Sequence, residues 1–122
     1  MKIKIVVGSI EAYATLSNTK TTSAVVNSLP FDSVAHCWGE EIYFEVPLEL
    51  ELENGKEVLE IGDLAYWPPG KSLCIFFGPT PSSRGNEIRA YSAVSVFCKV
   101  TGDAEVFRDV SEGELIRVEV AD

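Results

Sequence analysis

The sequence is poor in the residues that build metal and redox centres. It has one histidine, His36, and three cysteines, Cys37, Cys74 and Cys98, none in CxxC spacing. Structural zinc sites draw on clustered cysteine and histidine, so no metal site is expected, and no motif implies a cofactor. An odd set of widely spaced cysteines is not a disulfide framework. All three lie in apolar, strand-like surroundings and are expected to be small buried hydrophobes in a reducing cytosol, hence a cytoplasmic location. A reactive Cys37 would want a cation beside it, but His36 is only its chain neighbour, and neighbours on a strand point to opposite faces. Basic residues are also scarce: ten Lys and Arg stand against nineteen Asp and Glu, a net charge of -9. They form no cluster, and phosphate backbones are held by such clusters, so no nucleic-acid partner is expected. The acidity favours solubility. No apolar run approaches the roughly 20 residues that cross a bilayer, so no membrane partner is expected. MKIKIVVGSIEAYATL is interrupted early by Glu11 and alternates afterwards, which reads as a first strand and not as a signal peptide. There is no internal repeat, linker or low-complexity tract.

What remains is a chain of 122 residues, 46% hydrophobic and 24% charged. That is one domain, residues 1–122, with enough apolar surface for a single core. Lys2 to Val7 and Ala12 to Leu16 alternate as a hairpin around Gly8-Ser9. Thr19 to Leu29 is the best helix: Asn18, Thr19 or Thr21 can cap it, Ala24, Val25, Ser28 and Leu29 share a side, and Pro30 ends it. Ser33 to Trp38 and Glu41 to Val46 follow as strands broken at Gly39. In PLELELENGKEVLEI, Asn54-Gly55 is a type I′ pair, and the alternation on either side predicts a hairpin with Glu53 facing Lys56 and Leu50 facing Leu59. Asp63 to Trp67 and Ser72 to Phe77 are strands around a Pro-Pro-Gly turn. Ser92 to Val100 is a central strand, Asp103 to Val110 a short capped helix, and Glu114 to Val120 the last strand. About eight to ten short strands at this spacing argue for a closed or nearly closed barrel.

Gly70-Lys71-Ser72 is similar to the tail of a phosphate loop. That pattern needs a glycine five residues before Gly70, where Ala65 stands, and Pro68 and Pro69 lack the amides that would cradle phosphate. The aromatics are more informative. Trp38, Tyr66 and Trp67 flank turn glycines or prolines at strand ends, which form the mouth of a small barrel, where ligand sites commonly lie. Such rings offer flat apolar area with a polar tip. Glu40 and Glu41 could place one functional carboxylate beside Trp38.

Three stretches, FDSVAHCWGEEIYFEVP (31–47), EVLEIGDLAYWPPGKSLCIFFGPTP (57–81) and SAVSVFCKVTG (92–102), resemble a family of small, mostly prokaryotic cyclophilin-like proteins. The resemblance covers nearly the whole chain. It implies a mainly β fold: a closed eight-stranded barrel with one helix near the N-terminus and a short one near the C-terminus. The likeness to true prolyl isomerases is weaker. Ser72 is retained, but Leu73, Cys74 and Ile75 stand where those enzymes carry glutamine and phenylalanine. Their catalytic arginine follows a histidine, whereas here Cys37 follows His36. That loss matters, because amide rotation has a barrier of about 18–20 kcal/mol, and an arginine aimed at the prolyl nitrogen favours the twisted state.

The resemblance therefore implies a module that binds a proline-containing peptide or a small molecule at the barrel mouth, with weak or no isomerase activity. Trp38, Tyr66, Trp67 and Phe76 would supply apolar walls, and Glu40, Glu41 and Arg89 polar contacts. No catalytic residue is assigned. The alternatives are an active isomerase with a rearranged catalytic group, for which Arg84 or Arg89 could substitute, and a small-molecule enzyme using Glu40 or Glu41 as general base. The X-Pro bonds at Pro68, Pro69, Pro79 and Pro81 are the candidates for a cis peptide.

Overall fold

A computed structural model describes residues 2–121. The first hairpin joins β1 (Lys2–Val7) to β2 (Ile10–Leu16) through a turn in which Gly8 takes a φ of 60°. Ile3, Ile5 and Val7 are fully buried while Lys2 and Lys4 face outward, the period-2 pattern of a strand with one covered face. The helix α1 (Lys20–Ser28) starts as expected at Thr19, whose side chain accepts from Thr22 N at 3.1 Å. Its buried face is more polar than the sequence suggests: Thr21, Thr22 and Val25 are buried. Thr22 Oγ1 donates to Phe97 O, and Thr21 donates to Glu53 from both its amide and its hydroxyl.

The remaining strands are β3 (Phe31–Val34), β4 (His36–Cys37), β5 (Glu41–Glu45), β6 (Lys56–Leu59), β7 (Asp63–Trp67), β8 (Ser72–Phe76), β9 (Ile88–Thr101) and β10 (Leu115–Val120). Pro68–Gly70 forms a 3-10 turn between β7 and β8. The expected late helix is a 3-10 segment, Ala104–Asp109, capped by Asp103. The strand order is β3-β10-β1-β2-β9-β7-β8-β5-β4, with β6 pairing β9 off this path.

The closed eight-stranded barrel is therefore corrected in two respects. Among the described residues there are ten strands, and hydrogen bonds between them do not close the ring. The two ends of the path, β3 and β4, are successive pieces of one segment separated by Ala35. Phe31–Val34 spends its pairing on β10 and His36–Cys37 on β5, so no ladder joins the ends.

The predicted Asn54-Gly55 hairpin does not form. Asn54 takes a φ of 50°, but Gly55 is not in the left-handed region, and a type I′ turn needs both. The backbone before the turn is satisfied by distant side chains instead. Tyr66 Oη donates to Leu48 O and accepts from Leu50 N, while Ser95 Oγ accepts from Glu53 N. On the other side, β6 pairs with β9. The cis peptide is Leu29–Pro30 and not one of the four later candidates.

The sheet has two covered faces. Ile3, Ile5, Ile42, Phe44, Leu64, Tyr66, Leu73, Ile75 and Phe97 fill the interior. Each such side chain contributes roughly 1.5–3 kcal/mol by leaving water. On the opposite face of β7 and β8, a smaller cluster gathers Ala65, Cys74 and Phe76 under Leu59, Ile88, Ala90 and Val94. This second cluster exists because β9 is long. Its C-terminal half pairs with β7 and β2, whereas its N-terminal half pairs with β6 and lies over the outer face.

Candidate functional site

Alternation along three adjacent strands decides which side chains meet. On β5, Ile42 and Phe44 point inward, so Glu41 and Tyr43 point outward. On β8, Leu73 and Ile75 are interior while Cys74 and Phe76 are outer. On β7, Tyr66 is interior and Trp67 is outer. The register then sets Glu41 opposite Phe76, and Tyr43 and Ala65 on either side of Cys74. β9 supplies the cover. A cavity of about 160 Å³ results, lined by Trp38, Glu41, Tyr43, Trp67, Cys74, Ala90, Tyr91 and Val94.

Local structure fixes the rings at its rim. Trp38 and Glu41 exchange backbone hydrogen bonds of 2.9 and 3.2 Å across Gly39-Glu40. Gly39 has a φ of 60°, and a Cβ there would lie 2.9 Å from Thr80 Cα, so this turn seats against the loop that follows β8. Trp67 lies over the Pro-Pro-Gly turn: a Cβ on Gly70 would sit 2.4 Å from its ring. Its Nε1 donates to Ser92 Oγ at 2.7 Å. Tyr91 is 73% exposed, yet its ring makes edge contacts with both Trp38, at 6.0 Å, and Trp67, at 5.9 Å. Three rings thus surround the opening, in the edge-on arrangement that aromatic quadrupoles favour.

Glu41 lies in this cavity. It is 5% exposed, and its Oε1 is buried without a hydrogen-bond partner. Burial pushes its carboxyl up to about 7, and a hydrogen bond with Cys74 only partly offsets this. The Cys74 thiol is itself pushed well above its ordinary value, first by burial and then by the Glu41 charge, so it is not a ready nucleophile. The third cysteine expectation fails: Cys37 is exposed. Partial burial, Glu112 and Glu114 raise its pKa, and His36 is engaged with Glu112 at 2.6 Å, so no activated pair forms. Among the described residues, no three His, Cys, Asp or Glu side chains gather as metal ligands.

Of the seven site residues read from sequence, Trp38, Glu41 and Trp67 come together. Glu40 turns aside and holds Arg108 at 2.7 Å. Tyr66 is fully buried on the interior face, its hydroxyl tied to Leu48 and Leu50. Phe76 is packed in the outer cluster and does not line the cavity. Arg89 binds Glu87 at 3.0 Å and Glu57 at 3.4 Å. The cavity that these three line lies on the outer face of the sheet. Tyr43 and Tyr91 are the additions. Tyr43 follows from Glu41 by strand alternation, but Tyr91 depends on β9 leaving the main sheet.

A family model described as Cyclophilin-like matches residues 1–119, and the chain belongs to that family. The chain is also similar to the hypothetical protein AF2241 from Archaeoglobus fulgidus, known from a solution structure. The two are 39% identical, with a TM-score of 0.84 over 99% of this chain and 95% of that one. No functionally curated protein matches the chain.

Proposed function

We propose that this protein binds a small ligand, or one side chain of a peptide, in the outer-face cavity, and that it has little or no prolyl isomerase activity. The observation that carries this reading is the buried, unpartnered Oε1 of Glu41 beneath Trp38, Trp67 and Tyr91. A buried polar atom without a partner is costly, and three half-open rings are poorly used if nothing covers them. The volume of about 160 Å³ matches the ~150 Å³ that holds a benzene-sized group. Against isomerase activity, Arg89 is held by two carboxylates, and among the described residues no arginine lines the cavity.

The test is a titration of isotope-labelled protein with a panel of Xaa-Pro peptides and small metabolites, reading amide shifts and peptide cis/trans exchange. Shifts centred on Trp38, Trp67 and Tyr91 without faster exchange are the expected result. Faster exchange would make the protein an isomerase, and the absence of shifts across the panel would remove the site.

A second reading, an enzyme using Glu41 as general acid or base, is favoured by one feature. A carboxyl titrating at about 7 is poised for proton transfer near neutral pH.

A further inference from the structure

The lining of the cavity is unbalanced in charge. Among the described residues, Glu41 is the one acid in that lining, and no lysine, arginine or histidine joins it there. The nearby arginines are already committed, Arg108 to Glu40 and Glu105, and Arg89 to Glu87 and Glu57. The rings of Trp38, Tyr43, Trp67 and Tyr91 share the cavity lining with it. Aromatic faces carry negative potential and attract cations, most strongly where water is excluded. A buried carboxylate needs a positive partner for the same reason.

We propose that the occupant of this cavity carries an organic cation, an alkyl- or methylated ammonium group seated among the four rings with its charge against Glu41. The inference rests on the proposed function above and narrows it to one ligand class. The ammonium group supplies what the cavity lacks, a charge for Oε1, and its carbon surface suits an otherwise apolar wall of Cys74, Ala90 and Val94. The protein's net charge of -9 draws such a ligand toward the surface. A neutral hydrogen-bond acceptor is the alternative occupant, since a protonated Glu41 would donate to it. The two differ in pH dependence. A fixed cation prefers the ionised carboxylate, so its affinity falls as pH drops below about 7 and is level above. A neutral acceptor shows the reverse. The other titratable groups facing Glu41 are Tyr43 on β5, Cys74 on β8 and Tyr91 on β9, with His36 on β4 stacked behind Tyr43.

The experiment compares choline with its uncharged isostere 3,3-dimethylbutan-1-ol, by amide shifts and tryptophan fluorescence, at pH 6 and pH 8.5. Choline is expected to bind at pH 8.5 roughly tenfold more tightly than the alcohol. Glu41→Gln should sharply reduce that preference and remove its pH dependence, and Tyr91→Ala, at an exposed position that does not threaten folding, should weaken choline several-fold. Equal binding of the two probes, or choline binding that strengthens at pH 6, overturns the cation and leaves the cavity as a site. Silence from both probes while panel members shift the same residues also overturns the cation. Silence from everything overturns the cavity as well.

Discussion

The two faces of the β5-β8-β7 sheet are built from alternate residues of the same strands, yet they end in opposite states. The inner face is complete. Ile42, Phe44, Leu64, Leu73 and Ile75 are fully buried, and its one phenol, Tyr66, has both a donor and an acceptor partner in the segment over it. The outer face is left open. It buries Cys74 and Phe76, but its rings stay partly exposed and one oxygen of its carboxyl, Oε1, lacks a partner. A closed face accounts for stability. An open one, carrying a cost that folding alone does not require, is where binding is to be sought.

Substitutions should separate the two faces. The largest effect is expected inside: Phe97→Ala, at a side chain with no exposure, should cost about 3–5 kcal/mol in denaturant unfolding. A loss under 1 kcal/mol would mean that the interior is not the stabilising face.

Next comes the pH dependence of Glu41→Gln. In the unfolded chain Glu41 loses its proton near 4.5, whereas in the folded one it does so at about 7. Between these values the folded state holds more protons, so the native protein loses stability as pH rises, and the loss is complete above pH 7. The gap corresponds to a penalty on the order of 3 kcal/mol, which Glu41→Gln should remove at pH 8 and not at pH 4. Glu53, Glu60, Glu87 and Glu112 have lowered values and act in the opposite sense at lower pH. Only the difference between variant and parent is therefore diagnostic; a pH-independent difference would contradict burial of the charge.

The smallest effect is expected at Arg89→Ala, which should leave both ligand affinity and melting behaviour nearly unchanged, since neither partner lines the cavity and one of them, Glu57, is largely exposed. A lost ligand there would return the arginine to the site.

Alternation made much of the architecture legible: β1, β10 and the β7–turn–β8 unit lie close to where hydrophobic period and turn residues put them. The local pattern at Asn54-Gly55 predicts a hairpin that does not form, because partners far along the chain, namely Tyr66, Ser95 and the helix start at Thr21, hold the segment before it. For the proposed site, aromatics beside turns lead to Trp38 and Trp67, and both rings line the cavity. Tyr66 and Trp67 were grouped although neighbours on one strand must face apart, a conflict already visible in the sequence. Tyr91 and Val94 were not legible, because only the pairing of β6 with β9 brings that half-strand over Cys74.

The most direct measurement is an NMR titration of the Glu41 side-chain carboxyl carbon, free and with a saturating organic cation. The structure predicts a midpoint near 7 in the free protein, displaced downward when the cation is bound. A midpoint in the ordinary carboxylate range, unmoved by any ligand, would contradict a buried Glu41 with an unpartnered Oε1 and with it the cavity as a binding site.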